Sequence, residues 1–103
     1  MTLNIMLACA GGFSTSMLVE RMKEAAKEKG MEVSIDATAE GKVDKLIKNI
    51  DILLLGPQVG YMEESFKKKY SGHPVAIATI PSMDYGMMNG KKVLADALQL
   101  LNK

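Results

Sequence analysis

Leu3-Asn4-Ile5-Met6-Leu7-Ala8-Cys9-Ala10-Gly11-Gly12-Phe13-Ser14-Thr15-Ser16 is the stretch whose reading decides the architecture. Its opening residues make a short, mostly apolar run bounded by a cysteine and a glycine pair, the pattern of a central strand buried on both faces. Cys9 then stands at the strand's carboxyl end. Past the glycines, over 16–29, Leu18, Met22, Ala25 and Ala26 form one apolar stripe. Glu20, Lys23, Lys27 and Glu28 occupy the other side, so a helix follows the strand. Gly30 is its stop.

Working outward, Met31, Val33 and Ile35 alternate with Glu32, Ser34 and Asp36, as in a strand at or near a sheet edge. Val43, Leu46, Ile47 and Ile50 recur at helical spacing and lead into Asp51-Ile52-Leu53-Leu54-Leu55-Gly56, the most strand-like run in the chain. Gly56-Pro57-Gln58 breaks that strand. Val59, Met62, Phe66 and Tyr70 then mark the inner face of a helix opened by the proline and closed by Ser71-Gly72. Val75-Ala76-Ile77-Ala78-Thr79-Ile80 makes a last strand stopped by Pro81, and Val93, Leu94, Ala97, Leu98 and Leu101 trace a closing helix.

Strands alternating with helices imply an α/β fold, a doubly wound, four-stranded parallel sheet with right-handed crossovers and helices on both faces. With 103 residues there is room for one core, so 1–103 reads as a single domain. In such sheets ligands bind outside the carboxyl ends of the strands, where 9–16, 38–41, 56–59 and 81–86 converge.

Composition narrows the function classes. Thirteen basic against twelve acidic residues leave a formal charge of +1, not the basic balance that a nucleic-acid backbone demands. No apolar run approaches the roughly 20 residues of a membrane span, and no basic segment precedes the first apolar stretch, so the chain reads as cytoplasmic, without direct membrane insertion. A single cysteine and a single histidine are too few for an ordinary zinc site. Neither a metal nor another cofactor is expected.

The segment after the first strand carries the chemistry. Helix amino-terminal N–H groups attract anions, and glycines let a loop bend so that successive N–H groups point inward, a geometry suited to a phosphate-sized anion. The same field favours a thiolate over a thiol, making the Cys9 sulfur a candidate nucleophile. The bland alternative is that Cys9 only packs at a strand end, and that Ser14, Thr15 and Ser16 only cap the helix. A nucleotide P-loop is excluded because Gly-Lys-Ser/Thr is missing, and no G-x-G-x-x-G follows the first strand. A receiver domain would want acidic residues where the chain has Ala8-Cys9 and Leu55-Gly56.

The serious competitor is a cysteine phosphatase or arsenate reductase of the low-molecular-weight type, whose loop begins with cysteine and ends with arginine. The matching position here is Thr15, and no Lys or Arg occurs between Cys9 and Val19. Hydrolysis lacks the guanidinium fork that would grip the equatorial phosphoryl oxygens. A loop that holds a phosphocysteine without promoting attack by water suits a carrier.

Cys9-Ala10-Gly11-Gly12-Phe13-Ser14-Thr15-Ser16-Met17-Leu18 resembles the lactose/cellobiose-type IIB component of the phosphoenolpyruvate-dependent sugar phosphotransferase system, through the pattern C-x-x-G-x-S-T-S. The likeness continues in Leu54-Leu55-Gly56-Pro57-Gln58-Val59-Gly60-Tyr61-Met62 and in Asp84-Tyr85-Gly86. Phe13 stands where many members carry Met, which keeps a large apolar side chain there. The resemblance implies sheet order 2-1-3-4. It also implies that Cys9 accepts a phosphoryl group from a phosphohistidine of the IIA partner and passes it to a sugar that the membrane partner IIC imports. Cellobiose-, chitobiose- or lactose-like sugars are the implied class, and the chain itself is expected to be a monomer. On that reading Ala10, Gly11, Gly12, Phe13, Ser14, Thr15 and Ser16 hold the phosphoryl oxygens.

Gln58 and Tyr85 could reach the same edge as auxiliary residues or serve only as turn and core residues. His73, before Pro74, reads as a surface residue at the opposite edge. Asp84 follows the last strand, where the phosphatase family keeps a general acid, but without the loop arginine it is weak evidence for hydrolysis. Met17, Met62, Met83, Met87 and Met88 could furnish an apolar docking rim, although core filling is the favoured reading.

Overall fold

The computed structural model describes residues 3–9 and 13–101, and for 13–15 the backbone alone. Four strands, β1 Leu3–Cys9, β2 Val33–Ala39, β3 Ile52–Leu55 and β4 Ala76–Thr79, form one parallel sheet in the order β2-β1-β3-β4. Between and after them lie α1 Phe13–Glu28, α2 Val43–Leu46, α3 Glu63–Lys69, α4 Ser82–Gly86 and α5 Gly90–Gln99. The doubly wound fold and its strand order are as the sequence and its resemblance implied.

The pleat sorts the core into two layers. Ile5 and Leu7 of β1, with Ile52 and Leu54 of β3, face α1 and α5, where they meet Leu18, Met22, Ala25, Val93 and Leu94. Ala8, Leu53 and Leu55 face the other way, toward Val43, Ile47, Val59, Phe66 and Tyr70. Strands covered on both faces read as continuous apolar runs, which is why β1 and β3 were evident. Burying each large aliphatic side chain contributes roughly 1.5–3 kcal/mol.

The helices follow the sequence with instructive departures. α1 begins at Phe13, before the expected 16, because the hydroxyl residues form its first turn. At its other end Gly30 has φ +67, with Gly30 N donating to the Lys27 carbonyl at 3.1 Å and Met31 N to the Ala26 carbonyl at 3.0 Å. That is the paired-bond ending in which a left-handed residue satisfies the last carbonyls.

The expected helix over 43–50 is broken into α2 flanked by single 3-10 turns at Glu40–Lys42 and Ile47–Asn49, although Val43, Ile47 and Ile50 are buried as expected. The expected helix over 59–70 is a 3-10 segment, Pro57–Met62, running into α3, with Val59 at φ −119, ψ 19. Tertiary burial of Val59, Phe66 and Tyr70 sets the inner face without requiring one continuous helix.

α4 was not foreseen, and Leu101 lies beyond α5 with 46% of its surface exposed, not on the inner face. His73 is half-buried, its ring edge against Tyr70 with centroids 5.9 Å apart, at the amino end of β4. The core reading fails for Met17, Met83 and Met87, which are exposed, while Met62 and Met88 are half-buried.

Candidate functional site

Strand order fixes where a site belongs. From β1 the chain crosses to β2 on one side, whereas β3 and β4 follow on the other, so the order reverses between β1 and β3. At such a switch point the connections diverge to opposite faces and open a crevice beyond the strands' carboxyl ends. The register Ala8↔Leu55 leads directly to Cys9 and Gly56 at this place.

Cys9 is 2% exposed and ends β1. By the alternation of the pleat its side chain lies on the face of Ile5 and Leu7, the face covered by α1. α1 carries no acidic residue in its first turn, so its positive end beside the Cys9 junction is not offset by its own side chains. Ala10, Gly11 and Gly12 lie outside the described residues, as do the side chains of Phe13, Ser14 and Thr15. Ser16 is exposed on α1.

The other wall of the crevice is the segment after β3. Gly56 N donates to the Ala8 carbonyl at 2.8 Å, and Val59 N donates to the Gly56 carbonyl at 3.0 Å. A Cβ at Gly56 would meet Gln58 Oε1 at 2.8 Å and Cys9 Cβ at 3.3 Å. The absent side chain of Gly56 is therefore what lets the Gln58 amide and the cysteine flank one methyl-sized gap. Of the two auxiliary candidates, Gln58 is brought beside Cys9. Tyr85 is 8% exposed and belongs to the core on the α1 side, with Leu18 and Val19.

Asp84 is 7% exposed, and its Oδ2 accepts from Lys92 Nζ at 2.9 Å. That hydrogen bond, with a second to Asp96, raises the Lys92 ammonium above its ordinary value. Asp84 is thus engaged as the ion-pair partner of Lys92. Sequence reasoning also missed Thr79 and Glu63. Thr79 Oγ1 donates to Glu63 Oε1 at 2.7 Å, joining the end of β4 to the start of α3 across 16 positions, with no local signal to find it. This bond first, and then Lys67 at 3.0 Å, holds the Glu63 carboxyl below the usual range.

Among the described residues no group of three or more His, Cys, Asp and Glu side chains could hold a metal, and no helix is long and apolar enough to cross a membrane.

Fold and site together define a doubly wound α/β protein with a cysteine at its topological switch point. Residues 4–96 match the family model described as the lactose/cellobiose-specific IIB subunit of the PTS system. The galactose-specific EIIB component of Lactococcus lactis subsp. cremoris is 44% identical over 103 residues, covering 95% of each chain. The cellobiose-specific phosphotransferase IIB component of Borrelia burgdorferi superposes with a TM-score of 0.81 at 36% identity, covering 99% of this chain and 94% of that one. The lactose-specific IIB domain of Streptococcus pneumoniae has the same fold, with a TM-score of 0.87 at 22% identity over 96% of this chain and 97% of that one. The chain belongs to the lactose/cellobiose-specific IIB family and is a sugar phosphotransferase component.

Proposed function

We propose that Cys9 is the phosphoryl carrier of this component, with residues 1–103 acting as a single IIB domain in the cytoplasm. The Cys9 thiolate attacks the phosphorus of a phosphohistidine on a IIA partner. The S–P bond forms as the N–P bond breaks, and the imidazole leaves with the electron pair. In the second transfer a sugar hydroxyl attacks the same phosphorus, the S–P bond breaks, the thiolate is restored and the hydroxyl proton departs. The acceptor is a cellobiose-, chitobiose- or lactose-like sugar delivered by a membrane IIC partner.

The observation that carries this reading is the meeting of Cys9, Gly56 and Gln58 at the reversal of strand order. N–H groups over 10–16 and the hydroxyls of Ser14, Thr15 and Ser16 hold the equatorial oxygens, stabilising charge as it develops. Gln58 supplies a side-chain amide to the same group, and Tyr85 supports the edge from within the core. Four exposed apolar side chains, Met17, Tyr61, Met83 and Met87, lie on the elements that leave β1, β3 and β4 at this edge. An apolar rim around the thiol suits brief docking of a chain that works as a monomer.

Intact-protein mass after incubation with phosphoenolpyruvate, the general phosphotransferase proteins and a IIA partner tests the reading. The expected result is one phosphoryl increment on the wild-type chain, slow to decay in water, and none on Cys9→Ser. An unchanged wild-type mass with a competent IIA partner, or an increment that persists in Cys9→Ser, sinks it.

A further inference from the structure

The 3-10 segment Pro57–Met62 brings Gln58 beside Cys9, and within it the buried Val59 packs into the core, but its own hydrogen bonding is weak. Its internal bonds are those of a tight helix with poorer geometry than an α-helix, and Val59 departs from helical dihedrals within it. Its amino end is anchored by the Gly56 N–H to the Ala8 carbonyl. Its carboxyl end lies on Thr79, for a Cβ at Gly60 would meet Thr79 Cγ2 at 2.9 Å and Oγ1 at 3.5 Å. The segment's main chain thus rests directly on the last residue of β4. Immediately beyond the segment, the Thr79 hydroxyl donates to Glu63 Oε1 at 2.7 Å, while Glu63 Oε2 pairs with Lys67 at 3.0 Å.

Thr79 is itself fixed in the sheet. Its register partner is Leu55, and the next residue's N–H, that of Ile80, donates to the Leu55 carbonyl at 2.8 Å. β4 is therefore tied to the chain on both sides of the segment, to Leu55 before it and to Glu63 after it. A hydroxyl donating to an ionised carboxylate makes a stronger bond than a neutral pair, and the β-branched threonine holds its oxygen in a restricted rotamer.

We propose that Thr79 and Glu63 are positioning residues for the Cys9 reaction, a hydroxyl–carboxylate clasp that fixes the Pro57–Met62 segment and, through it, Gln58 beside the thiol. Neither residue touches the phosphoryl group. The clasp rests on the reading of Cys9 as phosphoryl carrier and adds to it a reason why Gln58 is held in place. Releasing it lets the segment shift by a fraction of an ångström, which a near-attack geometry does not tolerate.

The test is single-turnover phosphoryl loading from a phosphohistidine donor partner, followed by intact mass, with unfolding in urea as control. Thr79→Val keeps both branches of the side chain and removes only the donor. Loading is expected to slow about tenfold, the order of one lost charge-assisted bond expressed in the transition state. Thr79→Ser should restore it. In a Gln58→Ala background Thr79→Val should have no further effect, because the clasp works through Gln58. Where Thr79→Val disturbs β4, Glu63→Ala carries the same test from the surface side. Equal loading of wild type and Thr79→Val, or a tenfold loss that persists undiminished in the Gln58→Ala background, overturns the clasp alone. A wild-type chain that never loads overturns the carrier reading and the clasp with it.

Discussion

Gly56 shows how much a single absent methyl decides. Its φ of −62 is one that alanine adopts freely, so Gly56→Ala meets no backbone strain and narrows the unfolded ensemble, a gain of about 0.4–1 kcal/mol where nothing clashes. The new Cβ would stand 2.8 Å from the movable end of Gln58 and 3.3 Å from Cys9 Cβ. Gln58 must swing away. Gly56→Ala is expected to unfold within about 1 kcal/mol of wild type while loading phosphoryl groups several-fold more slowly, and equal loading would show that Gln58 has no part in the transfer.

Tyr70 gives a second residue-scale expectation. Burial first, and then the bond from its hydroxyl to Asp44 Oδ1 at 3.1 Å, pushes its pKa up to about 12. A group whose folded pKa is raised contributes stability that is complete below its unfolded value, near 10, and is lost as pH rises through about 12. Tyrosinate absorbance should therefore show a step near pH 12 that Tyr70→Phe removes, and the variant's stability should change less than the wild type's between pH 10 and 12.

The placement of Cys9 and Gln58 at neighbouring strand ends was legible because each sits in a short motif there. The Thr79–Glu63 bond was not, since the sheet brings together two residues that no periodicity relates.

At the scale of elements, the strands were the readable part and the short helices were not. β3 announces itself by an unbroken apolar run, β1 by one interrupted only at Asn4, and β2 by alternation on an edge with one face open. The break of the 43–50 helix and the 3-10 character of 57–62 come from fitting short connections over the sheet, which overrides the weak preference of a few residues. α4 spans only Ser82–Gly86, too short for a repeating stripe. α1, by contrast, carries both its stripe and its terminator in the sequence. Because Gly30 sits at φ +67, Gly30→Ala is expected to cost about 1–2 kcal/mol in chemical denaturation. The same substitution at Gly41, where φ is not positive and no atom lies near an added Cβ, should cost less. Equal costs at both positions would mean that the paired-bond ending of α1 contributes nothing.

Across the whole molecule, the large apolar side chains that are described and exposed are unevenly placed: Met17, Tyr61, Met83 and Met87 lie on or directly after the elements leaving the carboxyl edge of the sheet, and of the five only Leu101 lies elsewhere. Replacing Met83 and Met87 by serine should leave unfolding within about 0.5 kcal/mol of wild type, as for surface sites without special contacts. If the rim docks the donor partner, loading should slow at low partner concentration and recover at saturation. Loading that is unaffected at every concentration would remove these methionines from the docking surface.

The alternation of β1 carries a consequence for how this chain can vary. Ile5, Leu7 and Cys9 share a face because they are separated by even steps, and Gly56 and Gln58 await the thiol on that side. Removing one residue between Leu3 and Cys9 would invert the parity, sending sulfur toward the layer of Val43 and Phe66 and the apolar side chains into the wrong interior. Changes of length in this strand are therefore admissible only in pairs, while the connection that follows β2 is bound by no such count.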